Sequence, residues 1–372
     1  MPATRTDVAR LAKVSTATVS YVLNNGPRPV ATATRQRVLE AMAALRYRPN
    51  ALARGLSSRH SKVLGLIVPD NSNPFFAELG LYVEEHAFAR GYSVILCNTN
   101  LDDRRTAAYI NLLVENQVDG VIITTSRLTP DQLDTFIERG IPLVLFDAPG
   151  PHPGYVAVSV NEREGARLAT RHLVNHGYRH IACLAGPASA PDTPGTTALR
   201  TQGYRDALDE GGLPYVQSLV TFGSYQAESG YTRTLQLLAA EPRPRAIFAQ
   251  SDLLAIGALR ACSALGLRVP EDLAVVGYDN ISLSGLTNPP LTTITQHIDD
   301  KARFTVQALL ARLAGEKTPE SIVLAAELVI RRSCGCGDEH VRAAPAVEHP
   351  GAGLAWPRDH AIDQCQQAPG AR

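Results

Sequence analysis

The stretch TDVARLAKVSTATVSYVLN, residues 6–24, predicts two short helices joined by a very short turn. Thr4 can cap the first helix, and Asp7, three residues later, can reach back to Thr4 in a capping box. Ser15 can cap the second helix. Apolar residues at helical spacing pack the two helices together: Val8, Leu11 and Ala12 on the first helix, and Val19, Val22 and Leu23 on the second. This pattern is typical of a helix-turn-helix.

A third helix is predicted in TATRQRVLEAMAALRY, residues 32–47, and Pro49 ends it. Its apolar side closes a small core shared by three helices: Val38, Leu39, Met42 and Leu45. We therefore predict a helical head over residues 1–48.

The charge distribution separates this head from the rest of the chain. The 372 residues carry no net charge, yet residues 1–62 hold eleven Lys and Arg against two acidic residues, and residues 63–372 hold 25 against 34. A basic head on an acidic body indicates that the head faces a polyanion. No apolar run approaches the roughly 20 residues that span a bilayer. Because the N-terminus also lacks the apolar core of a signal peptide, we expect a cytoplasmic protein.

The second helix carries side chains that suit the DNA major groove. Thr16, Ala17 and Tyr21 lie outside its apolar face, where a hydroxyl, a methyl group and a phenol can contact base edges. Basic residues around them, such as Arg35, suit phosphates. A three-helix bundle without a role in DNA binding is the alternative. The candidate DNA-binding residues are Thr4, Ser15, Thr16, Ala17, Thr18, Ser20, Tyr21, Asn24, Arg28, Thr34, Arg35, Asn50, Ala53 and Leu56.

Residues 49–62 are predicted to form a hinge helix and linker. Asn50 can cap a short helix that carries Leu56. Because so short a helix is marginal in water by itself, we expect it to order only against a partner surface. Leu56 lies between Arg54 and Arg59, and an apolar side chain in that setting can wedge between base steps of the minor groove.

From residue 63 the sequence alternates short apolar strands with amphipathic helices. The strand candidates are KVLGLIVP, YSVILCNT, VDGVIITT, IPLVLFDA, HIACLAG, RAIFAQ and LAVVGYD. Such alternation predicts parallel sheets covered by helices on both faces, and there are too many units for one sheet. We therefore predict an α/β body of two lobes. Glycines that end helices before the next strand support this interpretation: Gly91, Gly140, Gly177 and Gly266.

A ligand cleft is predicted beyond the carboxyl ends of these strands. Carboxylates, an arginine and aromatic rings around a concavity can pair with hydroxyl groups and stack on a sugar ring. Asp252 has a structural alternative as a helix cap, and we expect only one of Phe75 and Phe76 to contact a ligand. The candidate effector-binding residues are Asp70, Asn73, Phe75, Asp147, Arg200, Tyr225, Ser251, Asp252 and Asp279.

Three stretches in this order, TDVARLAKVSTATVSYVLN, RPNALARGL and LGLIVPDNSNPFF, resemble the LacI/GalR family of bacterial transcription regulators over about residues 4–333. The resemblance implies a homodimer on a palindromic operator, with paired hinge helices that insert Leu56 at the operator centre. Tyr21 stands where many members have Arg, so the operator sequence of a member is not carried over. The resemblance also implies ligand contacts at matching positions: Asp147, Arg200, Tyr225, Ser251 and Asp279.

The same resemblance implies the organisation of the body, which is similar to a periplasmic sugar-binding protein. Residues 63–337 form an effector-binding and dimerisation domain. Its first lobe takes about residues 63–161 and 292–322, and its second lobe takes about 162–291 and 323–337. SIVLAAELVIRRS is predicted as the returning last strand, and residues 338–372 as a disordered tail.

The leading functional hypothesis is a repressor of carbohydrate-metabolism genes that a small sugar-like effector releases from DNA. The alternative within this class is a corepressor-dependent regulator that senses a nucleobase or another metabolite. An enzyme of sugar metabolism is less favoured, because the sequence lacks GxSxG, Walker and GxGxxG motifs. A solute receptor for transport would need an export signal. We expect no cofactor.

The cysteines suit a reducing compartment. Cys97, Cys183 and Cys262 lie in apolar stretches, where a reduced thiol packs as a small hydrophobic group. Cys334 and Cys336 raise a metal or redox alternative, but a single intervening residue suits a chelate poorly and no second cysteine pair accompanies them. The sequence therefore predicts no metal site.

Overall fold

The computed structural model describes residues 3–24, 29–47, 60–124, 128–146, 148, 152–188 and 195–337. Within these ranges, no helix combines the length and the apolar character that crossing a membrane requires. Several predictions lie outside the described residues: the hinge helix, the tail from residue 338, and the roles of Arg28, Asn50, Ala53, Leu56 and Asp147.

The head consists of α1 (Arg5–Ala12), α2 (Thr16–Asn24) and α3 (Thr32–Ala44). The predicted capping box is confirmed, since the Asp7 backbone N–H donates to Thr4 Oγ1 at 3.3 Å and the Thr4 N–H donates to the Asp7 carboxylate at 2.9 Å. The predicted Ser15 cap is also confirmed, because Ser15 Oγ accepts from the Thr18 backbone N–H at 3.1 Å.

The head core is narrower than the sequence predicts. Leu11 is 52% exposed and Leu39 is 45% exposed, so their assignment to the core was wrong. Alanines one or two positions away take the inward places, and this rotation of each apolar face turns the longer leucines to solvent. The buried residues are Val8, Ala9, Ala12, Val19, Val22, Val38 and Ala41.

The first sheet of the body is parallel throughout, in the order β11-β5-β4-β3-β1-β2. Its strands are β1 (Val63–Val68), β2 (Ser93–Asn98), β3 (Gly120–Ile123), β4 (Leu143–Phe146), β5 (Tyr155–Val160) and β11 (Ser321–Leu324). Helices α4 (Pro74–Phe88) and α11 (Ile298–Leu313) pack on one face, and α5 (Asp103–Glu115) and α6 (Pro130–Ile137) pack on the other. Leu66 and Ile67 of β1 enter opposite cores because successive strand residues alternate between faces.

The second sheet has the order β12-β10-β9-β8-β6-β7. Its strands are β6 (Ile181–Ala185), β7 (Val220–Phe222), β8 (Ala246–Ala249), β9 (Ala274–Asp279), β10 (Thr292–Thr295) and β12 (Glu327–Val329). All pairs are parallel except β10 with β12. Helices α7 (Glu162–Asn175) and α8 (Thr196–Glu210) pack on one face, and α9 (Ala227–Ala239) and α10 (Asp252–Ala264) on the other. The predicted α/β body with two lobes is confirmed.

The places where the chain crosses from one lobe to the other differ from the sequence prediction in two details. Strand β10, which was assigned to the first lobe, pairs with β9 in the second sheet, so the second crossing follows Thr295. The predicted last strand SIVLAAELVIRRS is two short strands, one in each sheet. Both errors have the same cause, since no glycine or turn sequence marks either crossing.

The predicted helix stops and buried thiols are confirmed. Gly91, Gly140, Gly177 and Gly266 have φ angles of 76°, 68°, 85° and 68°, a conformation that glycine adopts without strain. Cys97, Cys183 and Cys262 are free and buried, and burial raises the pKa of the Cys97 thiol to about 11.

Candidate functional site

A cavity of about 120 Å³ lies where the carboxyl ends of strands from both sheets meet. Six of the nine predicted effector-binding residues line it. The described residues that line it are Asn73, Phe75, Phe76, Thr124, Phe146, Thr196, Arg200, Tyr225, Ser251, Asp279 and Gln296.

The first lobe supplies an aromatic wall. Asn73 caps α4 by accepting from the Phe75 backbone N–H at 3.1 Å, which fixes the start of the helix at the cavity. The rings of Phe75 and Phe76 meet edge to face with their centroids 5.1 Å apart. Phe146, at the end of β4, adds a third ring to the lining.

Arg200 is the central charge of the cleft. It is 4% exposed, and its Nε donates to Glu162 Oε2 at 2.6 Å. Its Nη1 donates to the Gln250 carbonyl and lies 3.8 Å from Asp279 Oδ1, while its guanidinium carbon lies 3.7 Å from the centroid of the Tyr278 ring. A buried arginine with two carboxylate neighbours is held in a fixed orientation.

Asp279 sits in a strained and water-poor position at the end of β9. Its φ angle is 121°, which is a sparsely populated conformation for a residue with a Cβ, and such outliers concentrate at functional sites. Its Oδ1 accepts from Gln296 Nε2 at 2.7 Å. Burial raises the pKa of Asp279 to about 7, although Arg200 opposes the shift.

Tyr225 closes the cavity from the second lobe. Its hydroxyl and Thr197 Oγ1 are 2.9 Å apart. The ring crosses directly over Gly186, the residue after β6, and a Cβ at position 186 would lie 2.1 Å from Tyr225 Cζ. Only glycine therefore permits this ring position.

Two predicted effector residues do not line the cavity. Asp252 is fully buried beneath it, where its carboxylate accepts from the Ile281 backbone N–H at 3.0 Å and from the Thr293 hydroxyl. It does not line the cavity, and it is not the helix cap, because Ser251 caps α10. Asp70 lies outside the lining and accepts from Gln226 Nε2 at 2.9 Å.

The Asp70–Gln226 contact is a hydrogen-bonded link that joins the lobes beside the cleft. In a second link, the backbone N–H and the hydroxyl of Ser282 donate to Glu78 Oε1 at 2.9 and 2.6 Å. Because each link joins residues of opposite lobes, a change in the angle between the lobes would alter both.

Sequence reasoning missed five lining residues. Thr124 and Gln296 each follow a strand directly, so the rule that found the other candidates also applies to them. Gln296 was overlooked because β10 was assigned to the wrong lobe. Glu162 does not line the cavity but holds the Arg200 side chain in place. No local sequence pattern predicts a hydrogen-bond partner 38 residues away. The missed lining residues are Phe76, Thr124, Phe146, Thr196 and Gln296.

The exposed side of α2 is the second candidate site. Thr16 and Ala17 are exposed and Tyr21 is half-buried, as a surface for base contacts requires. Thr18 instead bonds within the helix start, with its hydroxyl 2.9 Å from Ser15 Oγ. Arg35 donates to the Val22 carbonyl at 3.4 Å, so this predicted phosphate contact also braces α2 against α3.

Both the helical head and the α/β body of the chain match known protein families. Residues 4–50 match the family described as bacterial regulatory proteins, lacI family, and residues 170–334 match the periplasmic binding protein-like domain. The "HTH-type transcriptional repressor PurR" of Actinobacillus pleuropneumoniae is 40% identical over 337 residues, which cover 89% of this chain and 98% of that protein. This chain belongs to the LacI family.

Solved structures of two transcription regulators have the same architecture. The lac repressor dimer bound to operator and the anti-inducer ONPF matches with a TM-score of 0.78 at 29% identity, over 90% of this chain and 99% of that one. A complex of the regulator CelR with cellobiose matches with a TM-score of 0.65 at 33% identity, over 89% and 99%. The two-lobed fold with an N-terminal helix-turn-helix is therefore that of the LacI family.

Membership in the LacI family gives the general activity. The protein is a DNA-binding transcriptional repressor and not an enzyme, since its relatives are repressors of this family. The basic head provides operator binding, and the body provides a site for a small-molecule effector.

Proposed function

We propose that this repressor binds a palindromic operator as a homodimer and that a planar nitrogen heterocycle of the nucleobase class, bound in the cleft, sets its DNA affinity. The observation that carries the choice of ligand is the chemistry of the cavity wall, which combines four aromatic rings with polar groups that are mostly engaged within the protein.

The size of the cavity suits a compact ligand of about one ring. Its volume is about 120 Å³, and an engineered apolar cavity of about 150 Å³ holds benzene. A disaccharide would require the lobes to separate. The side chains of Phe75, Phe76, Phe146 and Tyr225 offer stacking surfaces, and a flat heterocycle fills the space between rings without leaving voids.

Most polar groups of the described lining already bond within the protein. A pyranose presents about five hydroxyls, each of which donates and accepts hydrogen bonds, so it needs many free partners. Apart from the Arg200–Asp279 pair, four lining residues are engaged in this way: Asn73, Thr124, Ser251 and Gln296.

Arg200 and Asp279 then recognise the heterocycle. The second terminal nitrogen of Arg200 can donate to a ring carbonyl or ring nitrogen, and Asp279 can accept from a ring N–H when it is ionised. A base edge that presents an acceptor beside a donor matches this pair. A site built for such an edge rejects analogues that lack either group, because the buried partner would be left unpaired.

A sugar effector is the second candidate, and one observation favours it. The transcriptional regulator CelR, which is 33% identical to this chain, was solved in complex with cellobiose, so a protein of similar structure binds a sugar. In that case the effector would stack on the same aromatic wall and would require Arg200 and Asp279 to pair with hydroxyls.

The test uses the full-length protein and a duplex selected by it from a random DNA pool. Calorimetric titration with free nucleobases, nucleosides, ribose, glucose and cellobiose identifies the ligand class, and fluorescence anisotropy with the selected duplex measures the coupling to DNA binding. We expect a nucleobase to bind and to change operator affinity by about 5- to 150-fold, the usual range of allosteric coupling.

Two outcomes would overturn the proposal in different ways. If a sugar binds and no base does, the effector belongs to the sugar class and the nucleobase proposal is wrong. A base that binds in the cleft without changing operator affinity would remove it as the effector. Sedimentation analysis of the protein with and without the duplex tests the homodimer, for which we expect one dimer per palindromic site.

A further inference from the structure

Four side chains with metal-binding atoms converge at the end of the second lobe away from the cleft. They are His172 and His176, at the C-terminal end of α7, and Cys334 and Cys336, in the segment after β12. One ligand atom from each residue lies within 4.8 Å of all the others. Cys336 Sγ is 3.1 Å from His176 Nε2 and 3.6 Å from His172 Nε2.

The helix and the loop each bring two of these groups to the same point. His172 and His176 are four residues apart, so they share one face of α7, and their ring centroids are 4.7 Å apart. Gly335, between the two cysteines, has a φ angle of 98°, a conformation that glycine adopts readily. This turn allows both thiols to reach the same side although only one residue separates them.

The loop is held in place independently of the cluster. Ser333 Oγ accepts from the Thr292 backbone N–H at 2.8 Å and donates to the Val275 carbonyl at 2.6 Å. Cys334 is buried, and the Tyr178 hydroxyl donates to its carbonyl at 3.5 Å. The thiols are therefore presented by a segment that is anchored to β9 and β10 of the second sheet.

We propose that His172, His176, Cys334 and Cys336 form a tetrahedral zinc site that fastens the segment after β12 to α7. Zinc with two sulfur and two nitrogen ligands, at about 2.3 and 2.0 Å, places the ligand atoms about 3.3–3.8 Å apart. The two Cys336–histidine distances already fall near this range, and rotamer adjustments of about 1 Å bring in the remaining atoms.

The donor set and its setting suit this metal. Two imidazoles and two thiolates are preferred zinc ligands, and a site with four protein ligands is closed and structural. Two thiolates also balance the charge of the ion, so the bound site adds no net charge to a partly buried position. The site is far from the cleft chemistry, since Glu162 begins α7 and His172 and His176 lie at its other end.

This proposal reverses the sequence prediction of no metal site. No second cysteine pair accompanies Cys334 and Cys336, but His172 and His176, more than 150 residues earlier in the chain, supply the second pair of ligands. The signal was available as a histidine pair at helical spacing, and only the fold joins it to the cysteines.

The test uses reduced full-length protein stripped of metal with a chelator. Titration with Zn²⁺ against a chromophoric chelator is expected to show one site per chain with Kd below about 1 µM, and zinc is expected to raise the Tm. Co²⁺ in its place should give thiolate-to-cobalt charge-transfer absorption. His176→Gln, at an exposed position, and Cys336→Ser should each weaken binding by at least about 100-fold.

Matched controls separate this site from other ligands in the chain. His180→Gln, on the same lobe, and Cys365→Ser, in the C-terminal segment, should leave affinity and the cobalt spectrum unchanged. Retention of zinc by the Cys336→Ser and His176→Gln variants would overturn the proposal. So would a Cys334–Cys336 disulfide in protein kept under reducing conditions, the absence of a zinc effect on Tm, or the absence of a thiolate-to-cobalt band with Co²⁺.

Discussion

Arg200 Nε lies 2.6 Å from the Glu162 carboxylate, and both side chains are buried between α7 and α8. The pair thus connects the helix that begins the second lobe with the residue that points into the cleft. Because both side chains are buried, neither charge can be solvated if its partner is lost, so the contact also contributes to the stability of the fold. The pair is therefore expected to hold the guanidinium ready for a ligand before the ligand arrives.

The first prediction concerns the stability of this pair. Glu162→Gln leaves the shape of the side chain but removes its charge, and among the described residues Arg200 then keeps Asp279, at 3.8 Å, as its anionic neighbour. We expect the free energy of unfolding to fall by about 3 kcal/mol, as when one partner of a buried pair is removed. Urea denaturation with a constant m-value measures the change.

Glu164→Gln is the matched control on the same helix. Glu164 pairs with Arg167 at 2.6 Å, but its side chain is 36% exposed. Such a surface pair contributes about 0–1 kcal/mol. Equal losses in the two variants would show that burial does not distinguish the Arg200–Glu162 contact.

The second prediction concerns the pH dependence conferred by Asp279. Its folded-state pKa of about 7 lies above the ordinary value of 3.8, so the folded protein binds an additional proton between these two values. Stability contributed by this group is therefore greatest at low pH and falls as the pH rises from about 4 to about 7, by at most about 1.4 kcal/mol per pH unit. Asp279→Asn should flatten this slope in urea titrations between pH 5 and 7.

Asp272→Asn tests whether that slope belongs to Asp279. Hydrogen bonds from Arg268 lower the pKa of Asp272, so its contribution is present at neutral pH and lost only as the solution becomes acidic. The Asp272→Asn variant should keep the slope of the parent between pH 5 and 7. Ligand binding supplies a second readout, since a ring N–H that donates to Asp279 binds more tightly above pH 7 than below it.

The third prediction concerns the position of Tyr225 over Gly186. Gly186→Ala places a methyl group within 2.1–2.3 Å of Cζ and Oη of Tyr225, so the ring must swing away and lose its contact with Thr197. We expect ligand affinity to fall by about tenfold, which corresponds to 1.4 kcal/mol. DNA affinity without ligand should stay within twofold of the parent.

Gly285→Ala is the control for a glycine replacement in the same lobe. Its added Cβ meets no atom within 4 Å, so ligand affinity should match that of the parent. A normal ligand affinity in Gly186→Ala would mean that the Tyr225 ring does not contribute to the site.

The alternation of strands and helices was predictable from the sequence because each element carries a local pattern. Apolar β-branched runs and the four glycine stops describe short-range preferences, and all appear in the fold. The crossings between lobes were less predictable. Thr292–Thr295 reads like any short strand, and only its pairing with β9 decides to which sheet it belongs.

The cleft was partly predictable for a similar reason. Residues that directly follow a strand are brought together by parallel topology, and Ser251 and Asp279 were found in this way. Asp252 satisfied the same rule and yet lies beneath the cavity, since its carboxylate is taken by the Ile281 N–H. The rule gives the end of the sheet, whereas the direction of a side chain depends on partners far away in the sequence.

The last prediction separates sequence recognition from electrostatic binding in the head. Tyr21→Ala removes a half-buried ring from the exposed side of α2 without changing charge. Affinity for the selected duplex should fall by about 1–3 kcal/mol, as for a lost base contact, while affinity for random duplex and the slope of log K against log salt stay constant. Leu39→Ala, at a 45% exposed position on α3, is the control and should preserve both affinities. An equal loss on specific and random DNA would assign Tyr21 to the backbone or to folding of the head, and circular dichroism of the variant would tell those two apart.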